Sequence, residues 1–108
     1  MGILYLVATP IGNLEDITFR AVRVLQEVST IAAEDTRTTK KLLQRHKIKT
    51  PMVSYYEGNR AKRIPFLLDK LGRGDDVALV SEAGTPIIRD PGQELVQAAV
   101  QNLSLIHI

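Results

Sequence analysis

Four short apolar runs, residues 3–8, 30–33, 52–56 and 77–80, alternate along the chain with segments that read as helices. This alternation constrains the fold more than any other feature. A short continuous apolar run reads as a strand buried on both faces. Helical segments between such strands form right-handed crossovers in a parallel α/β sheet. Asp16 reads as the N-cap of a first helix carrying Ile17, Ala21, Val24, Leu25 and Val28 on one face. Residues 36–46 make a second helix, whose large apolar residues are Leu42 and Leu43. Asn59 reads as the cap of a third, with Ile64, Phe66, Leu67, Leu68 and Leu71 along it, Pro65 in its first turns, and Gly72 and Gly74 at its end. A fourth helix starts near Pro91 and buries Leu95, Val96, Ala99 and Val100.

With 108 residues, 44% hydrophobic and 24% charged, the chain is composed like one ordinary globular domain. The absence of cysteine rules out a disulfide framework and a thiolate zinc site, and the histidines, His46 and His107, are too few for a metal site of their own. No apolar stretch approaches the roughly 20 residues needed to span a bilayer, and no signal peptide opens the chain, so the cytoplasm is the expected location. Net charge is only +2, but Arg37, Lys40, Lys41, Arg45, Lys47 and Lys49 crowd into one segment.

In open parallel sheets ligands gather at the carboxyl ends of the strands. The loops there are 9–15, 34–37, 55–59 and 81–90, and they hold nearly all the unusual residues. The first lacks both the glycine fingerprint of dinucleotide binders and the Lys-Ser/Thr of a phosphate loop, yet Gly12-Asn13 permits close backbone approach. Glu34-Asp35-Thr36-Arg37 sets two carboxylates, a hydroxyl and a guanidinium at a strand end; Asp35 or Thr36 equally fits as a helix cap. In "SEAGTPIIRDPG", Gly84, Pro86, Pro91 and Gly92 make a loop with accessible main chain, as in sites for adenosine-like groups. The basic helix reads either as a phosphate-binding face or as a solvated surface.

The segments "VATPIGNLEDIT", "IAAEDTRTTKKLL", "VSYYEGN" and "ALVSEAGTPIIRDPG" resemble, in order and spacing, the N-terminal domain of the bacterial 16S rRNA cytidine 2′-O-methyltransferases. These enzymes are a branch of the tetrapyrrole-methylase superfamily, whose members use S-adenosylmethionine. The resemblance implies an α/β domain over residues 1–102 and a cofactor held by Pro10, Gly12, Asn13, Ser81, Glu82, Ala83, Gly84, Thr85 and Pro86. It further implies catalytic roles for Glu34, Asp35 and Arg37, and contacts with 16S rRNA through Arg37, Lys40, Lys41, Arg45, Tyr55 and Asn59. Members of the family are typically homodimers. Arg89 and Gly58 depart from the family pattern, where Ser and His are common.

After Asn102 the family continues into a second domain, whereas this chain ends in Leu-Ser-Leu-Ile-His-Ile, which resembles a translated sequencing adapter. The expectation is therefore a truncated N-terminal domain with an artefactual tail over 103–108, inactive alone. Two other readings remain: a precorrin-type C-methyltransferase on the same fold, and a non-catalytic α/β RNA-binding module.

Overall fold

A computed structural model describes residues 2–9, 17–56, 58–82 and 104–107. The apolar runs form parallel strands β1 (Ile3–Thr9), β2 (Thr30–Ala33), β3 (Met52–Ser54) and β4 (Val77–Glu82). Between them lie α1 (Phe19–Glu27), α2 (Thr36–Arg45) and α3 (Arg60–Gly72). A further strand, β5 (Ser104–His107), pairs parallel with β1 inside the segment that the sequence sets apart as a tail. The free edge of β1 offers backbone partners there, and an apolar run with a β-branched residue suits a strand.

The strand order is β3-β2-β4-β1-β5. The chain steps from β1 to β2 to β3 in one direction and returns from β3 to β4 in the other, so right-handed crossovers must put α1 and α2 on one face and α3 on the opposite one. The core divides accordingly. Val7, Ile31, Ala33, Ala78 and Val80 pack with Ala21, Val24 and Leu25 of α1 and Leu42 and Leu43 of α2. Leu4, Leu6, Ala32, Val77 and Leu79 pack with Leu67 and Leu71 of α3 and with Tyr55.

Helix ends refine the sequence reading. The N-cap of α1 is Thr18, whose Oγ1 accepts the Ala21 N–H at 3.0 Å, rather than Asp16, which lies outside the described residues. At the end of α2, Lys47 adopts a left-handed φ of 56°. There the Ile48 N–H donates back to the Leu43 carbonyl at 2.8 Å, the reversal that usually falls to glycine or asparagine. Gly74, with φ of 95°, makes the equivalent turn after α3. The helix expected near Pro91 lies outside the described residues.

Candidate functional site

The connection leaving β1 turns toward β2, while β4 leads the other way to β5. Because β1 and β4 are neighbours, their carboxyl ends form a topological switch point, the place where open α/β sheets hold ligands. The two ends are in register, Ala8 opposite Ser81 and Thr9 opposite Glu82. The buried Thr9 hydroxyl donates to the Ser81 carbonyl at 3.0 Å and ties them together. Ser81 Oγ is buried and has no hydrogen-bond partner among the described residues. A buried hydroxyl left unpaired costs about 1–3 kcal/mol, so its position at a switch point fits a hydrogen-bonding ligand. Pro10, Gly12, Asn13, Ala83, Gly84, Thr85, Pro86 and Arg89 lie outside the described residues.

One strand over, β2 pairs with β4 and sets Ala33 opposite Val80. The next residues, Glu34 just past the end of β2 and Ser81 still within β4, thus lie at the same level on strands about 4.8 Å apart. Glu34 and Asp35 are exposed. Asp35 is the N-cap of α2: Oδ1 accepts the Arg37 and Thr38 N–H groups, each at 3.1 Å, and Oδ2 accepts the Thr38 hydroxyl at 3.1 Å. The Thr38 backbone bond, then its hydroxyl, then Arg37 hold this carboxyl below the usual carboxylate range. A carboxylate stabilised in its charged form is a weaker base, and its hydrogen bonds make Asp35 the cap of α2.

Capping makes a testable distinction. Asp35→Ala is expected to cost about 1 kcal/mol of stability and Asp35→Asn only a few tenths, because asparagine caps nearly as well. A folded-state pKa below the unfolded one stabilises at pH above the unfolded value, and that gain is lost as pH falls through the lowered value. Urea unfolding of the three proteins between pH 7 and pH 3 checks both points, with the advantage of Asp35 over Asn shrinking toward the acid end.

Helix α2 buries Thr39, Leu42 and Leu43, and its remaining positions face outward. Arg37, Thr38, Lys40, Lys41 and Gln44 line an open depression on that outer face. No acidic residue stands in the first turn of α2, although cations near a helix N-terminus are opposed by the macrodipole. The Asp35 carboxylate at the cap offsets that opposition, and the outer face of α2 remains cationic.

The loop from β3 to α3 departs from expectation at three places. Strand β3 stops at Ser54. Tyr55 is 1% exposed in the core under α3, so its side chain is closed to any ligand in solvent. Asn59 makes no cap bond with its side chain; it accepts the Tyr56 N–H at 2.9 Å and donates to Ser54 O and Oγ at 3.2 and 2.9 Å. Its amide is thus committed to closing the loop. Arg63, which the sequence does not single out, donates from Nε to the Ser54 carbonyl at 2.9 Å and so belongs to the same strand end.

Residues 3–107 match the profile of the Tetrapyrrole (Corrin/Porphyrin) Methylases. The chain belongs to the tetrapyrrole methylase family. It is 62% identical over 109 residues to the ribosomal RNA small subunit methyltransferase I of Synechocystis sp., covering 100% of this chain and 39% of that one. It is 57% identical over 97 residues to the Bacillus subtilis protein of the same name, covering 90% of this chain and 33% of the relative. This tetrapyrrole methylase chain therefore spans little more than a third of the length of these relatives. Among solved structures, a cobalt precorrin-4 methyltransferase superposes with a TM-score of 0.77 at 18% identity, over 98% of this chain and 44% of its own. A uroporphyrin-III-C-methyltransferase from Thermus thermophilus gives 0.73 at 20% identity, over 99% and 46%. These two likenesses establish the tetrapyrrole methylase fold. Within it, the described residues bring Ser81, Glu34 and the basic face of α2 to neighbouring strand ends, and place Tyr55 apart from them.

Proposed function

We propose that this chain is the amino-terminal part of an rRNA methyltransferase acting on the 2′-hydroxyl of a cytidine ribose in the small-subunit RNA of the cytoplasmic ribosome. The observation that carries the reading is the adjacency of two unlike surfaces: an orphan buried hydroxyl at the switch point, and a basic helix face one strand away. The first suits a small polar cofactor and the second a polyanion. The names of the relatives support pairing them as methyl donor and RNA.

S-adenosylmethionine, when bound, supplies an electrophilic methyl group on a sulfonium sulfur. Ser81 would hold it, with Glu82 and the residues of loops 10–13 and 83–86. The protein's main task is alignment of donor and acceptor, which can lower a barrier by roughly 7–11 kcal/mol. Arg37, Lys40 and Lys41 hold phosphates, and Glu34, exposed beside the end of β4, takes the proton from the ribose hydroxyl, worth typically 10²–10⁴ in rate. Asp35 acts through α2, by fixing its first turn.

The test follows from the chemistry of ribose. Alkali cleaves RNA through the 2′-hydroxyl, so a 2′-O-methylated nucleotide leaves an uncleaved bond, while a base methyl does not. Labelled small-subunit RNA treated with this chain extended to the length of its relatives is expected to yield one alkali-resistant dinucleotide step. Glu34→Gln is expected to lose that product while keeping RNA affinity. Methylation found on a base, or on a tetrapyrrole and never on RNA, refutes the proposal.

A further inference from the structure

The two adjacent tyrosines of the β3–α3 loop face opposite ways. Tyr55 is 1% exposed in the core, whereas Tyr56 is 49% exposed. Nor is Tyr56 loosely held: its N–H is bonded to Asn59 Oδ1 at 2.9 Å, and Asn59 is bonded to Ser54 in turn. Gly58 lets the ring lie against the backbone, since a Cβ there would come within 2.5 Å of Tyr56 Cε2. The result is a half-exposed aromatic ring on a loop whose backbone is fixed by hydrogen bonds.

The first turn of α3, which follows this loop, carries Arg60, Lys62 and Arg63. Arg63 is bonded to the carbonyl of Ser54, two residues before Tyr56 in the same loop, and Lys62 beside it is exposed. The first turn of α3 contains no acidic residue. In register, Ser54 lies opposite Ala33, which precedes the Glu34–Arg37 segment. An exposed ring on a loop that leads into a cationic helical turn matches the way proteins hold single-stranded nucleic acid, stacking bases on aromatic faces and pairing phosphates with Lys and Arg.

We propose that Tyr56 is a base-stacking platform for single-stranded RNA, with Lys62 and Arg63 contacting the flanking phosphates. The RNA path thus runs from α2 across the ends of β2 and β3 to the first turn of α3. This rests on the RNA reading above and moves the aromatic contact from Tyr55 to Tyr56.

The chain contains no tryptophan, so Tyr56→Trp introduces a unique fluorescent reporter. Titration of this variant with an unlabelled single-stranded RNA of about 12 nucleotides is expected to quench its emission as binding proceeds, and duplex RNA of equal length is expected to leave it unchanged. In anisotropy titrations with labelled RNA, Tyr56→Ala is expected to weaken binding by roughly 5- to 150-fold with an unaltered salt slope, since stacking releases no counterions. Lys62→Gln is expected to lower that slope by about 0.7. Unmoved emission in Tyr56→Trp, or wild-type affinity in Tyr56→Ala, while Lys40→Gln/Lys41→Gln still weakens binding, overturns the platform and leaves the RNA reading standing. Failure of the wild-type chain to bind any RNA overturns both. Circular dichroism melts of each variant separate unfolding from lost contacts.

Discussion

Replacing Lys40 and Lys41 together by glutamine is expected to lower affinity for single-stranded RNA, the proposed substrate, about 25-fold at 0.1 M salt. Each phosphate contact contributes close to 0.7 to the slope of affinity against salt concentration on logarithmic axes, which amounts to roughly fivefold per contact at that salt. Both lysines are exposed on α2 and line the same depression as Arg37 and Gln44, so neither change disturbs the core. Two signatures mark the effect as electrostatic: the salt slope falls by about 1.4, and the difference between variant and wild type vanishes near 1 M salt. An affinity loss that persists at high salt means that the side chains act through packing instead.

Leu67→Ala lowers the unfolding free energy by about 2–5 kcal/mol. Leu67 is 0% exposed and packs with Leu4, Leu6, Leu71 and Leu79, so its truncation opens a cavity in the layer between α3 and the sheet. Pro65 two residues earlier limits how far the helix can relax to fill it. A domain of this size holds only about 5–15 kcal/mol in total, and each kcal/mol moves the melting temperature by roughly 4–8 °C. Calorimetry is expected to show a fall of at least 8 °C. Phe66 next to it is 39% exposed with Lys70 Nζ 5.2 Å from its ring centroid, so Phe66→Ala is expected to cost less, about 1–2 kcal/mol.

The parallel α/β architecture and β1 through β4 were legible because a strand buried on both faces must be apolar throughout, and because helices between such strands must keep one apolar face. Leu42 and Leu43 announced the buried side of α2 in this way. Caps were less legible: Asp16 and Thr18 are both good capping residues two positions apart, and only the path of the chain selects Thr18. Which of Tyr55 and Tyr56 is buried was not legible, since it follows from the alternation of faces from Val53 to Tyr55, whose N–H still bonds the Ala33 carbonyl, and composition carries no mark of it. The insertion of β4 between β2 and β1 depends on contacts far apart in sequence. The role of Arg63 depends on the same long-range arrangement, because it is set by where the loop leaves β3. Asp35 was legible as a cap, and its three hydrogen bonds are those of a cap.

Strand β1 is flanked by β4 on one side and β5 on the other. Both partners come late. During synthesis at about 5–20 residues per second, roughly 3–14 s separate the appearance of Thr9 from that of Val77. Throughout that interval the most apolar strand of the sheet has no partner to pair with, while β2 and β3, adjacent in space and close in sequence, can already associate with α2. The nascent chain must therefore carry β1 as an exposed, aggregation-prone segment until β4 joins the two halves. Folding on the ribosome is expected to wait on that closure, and a chaperone that shields residues 3–9 would act in this window.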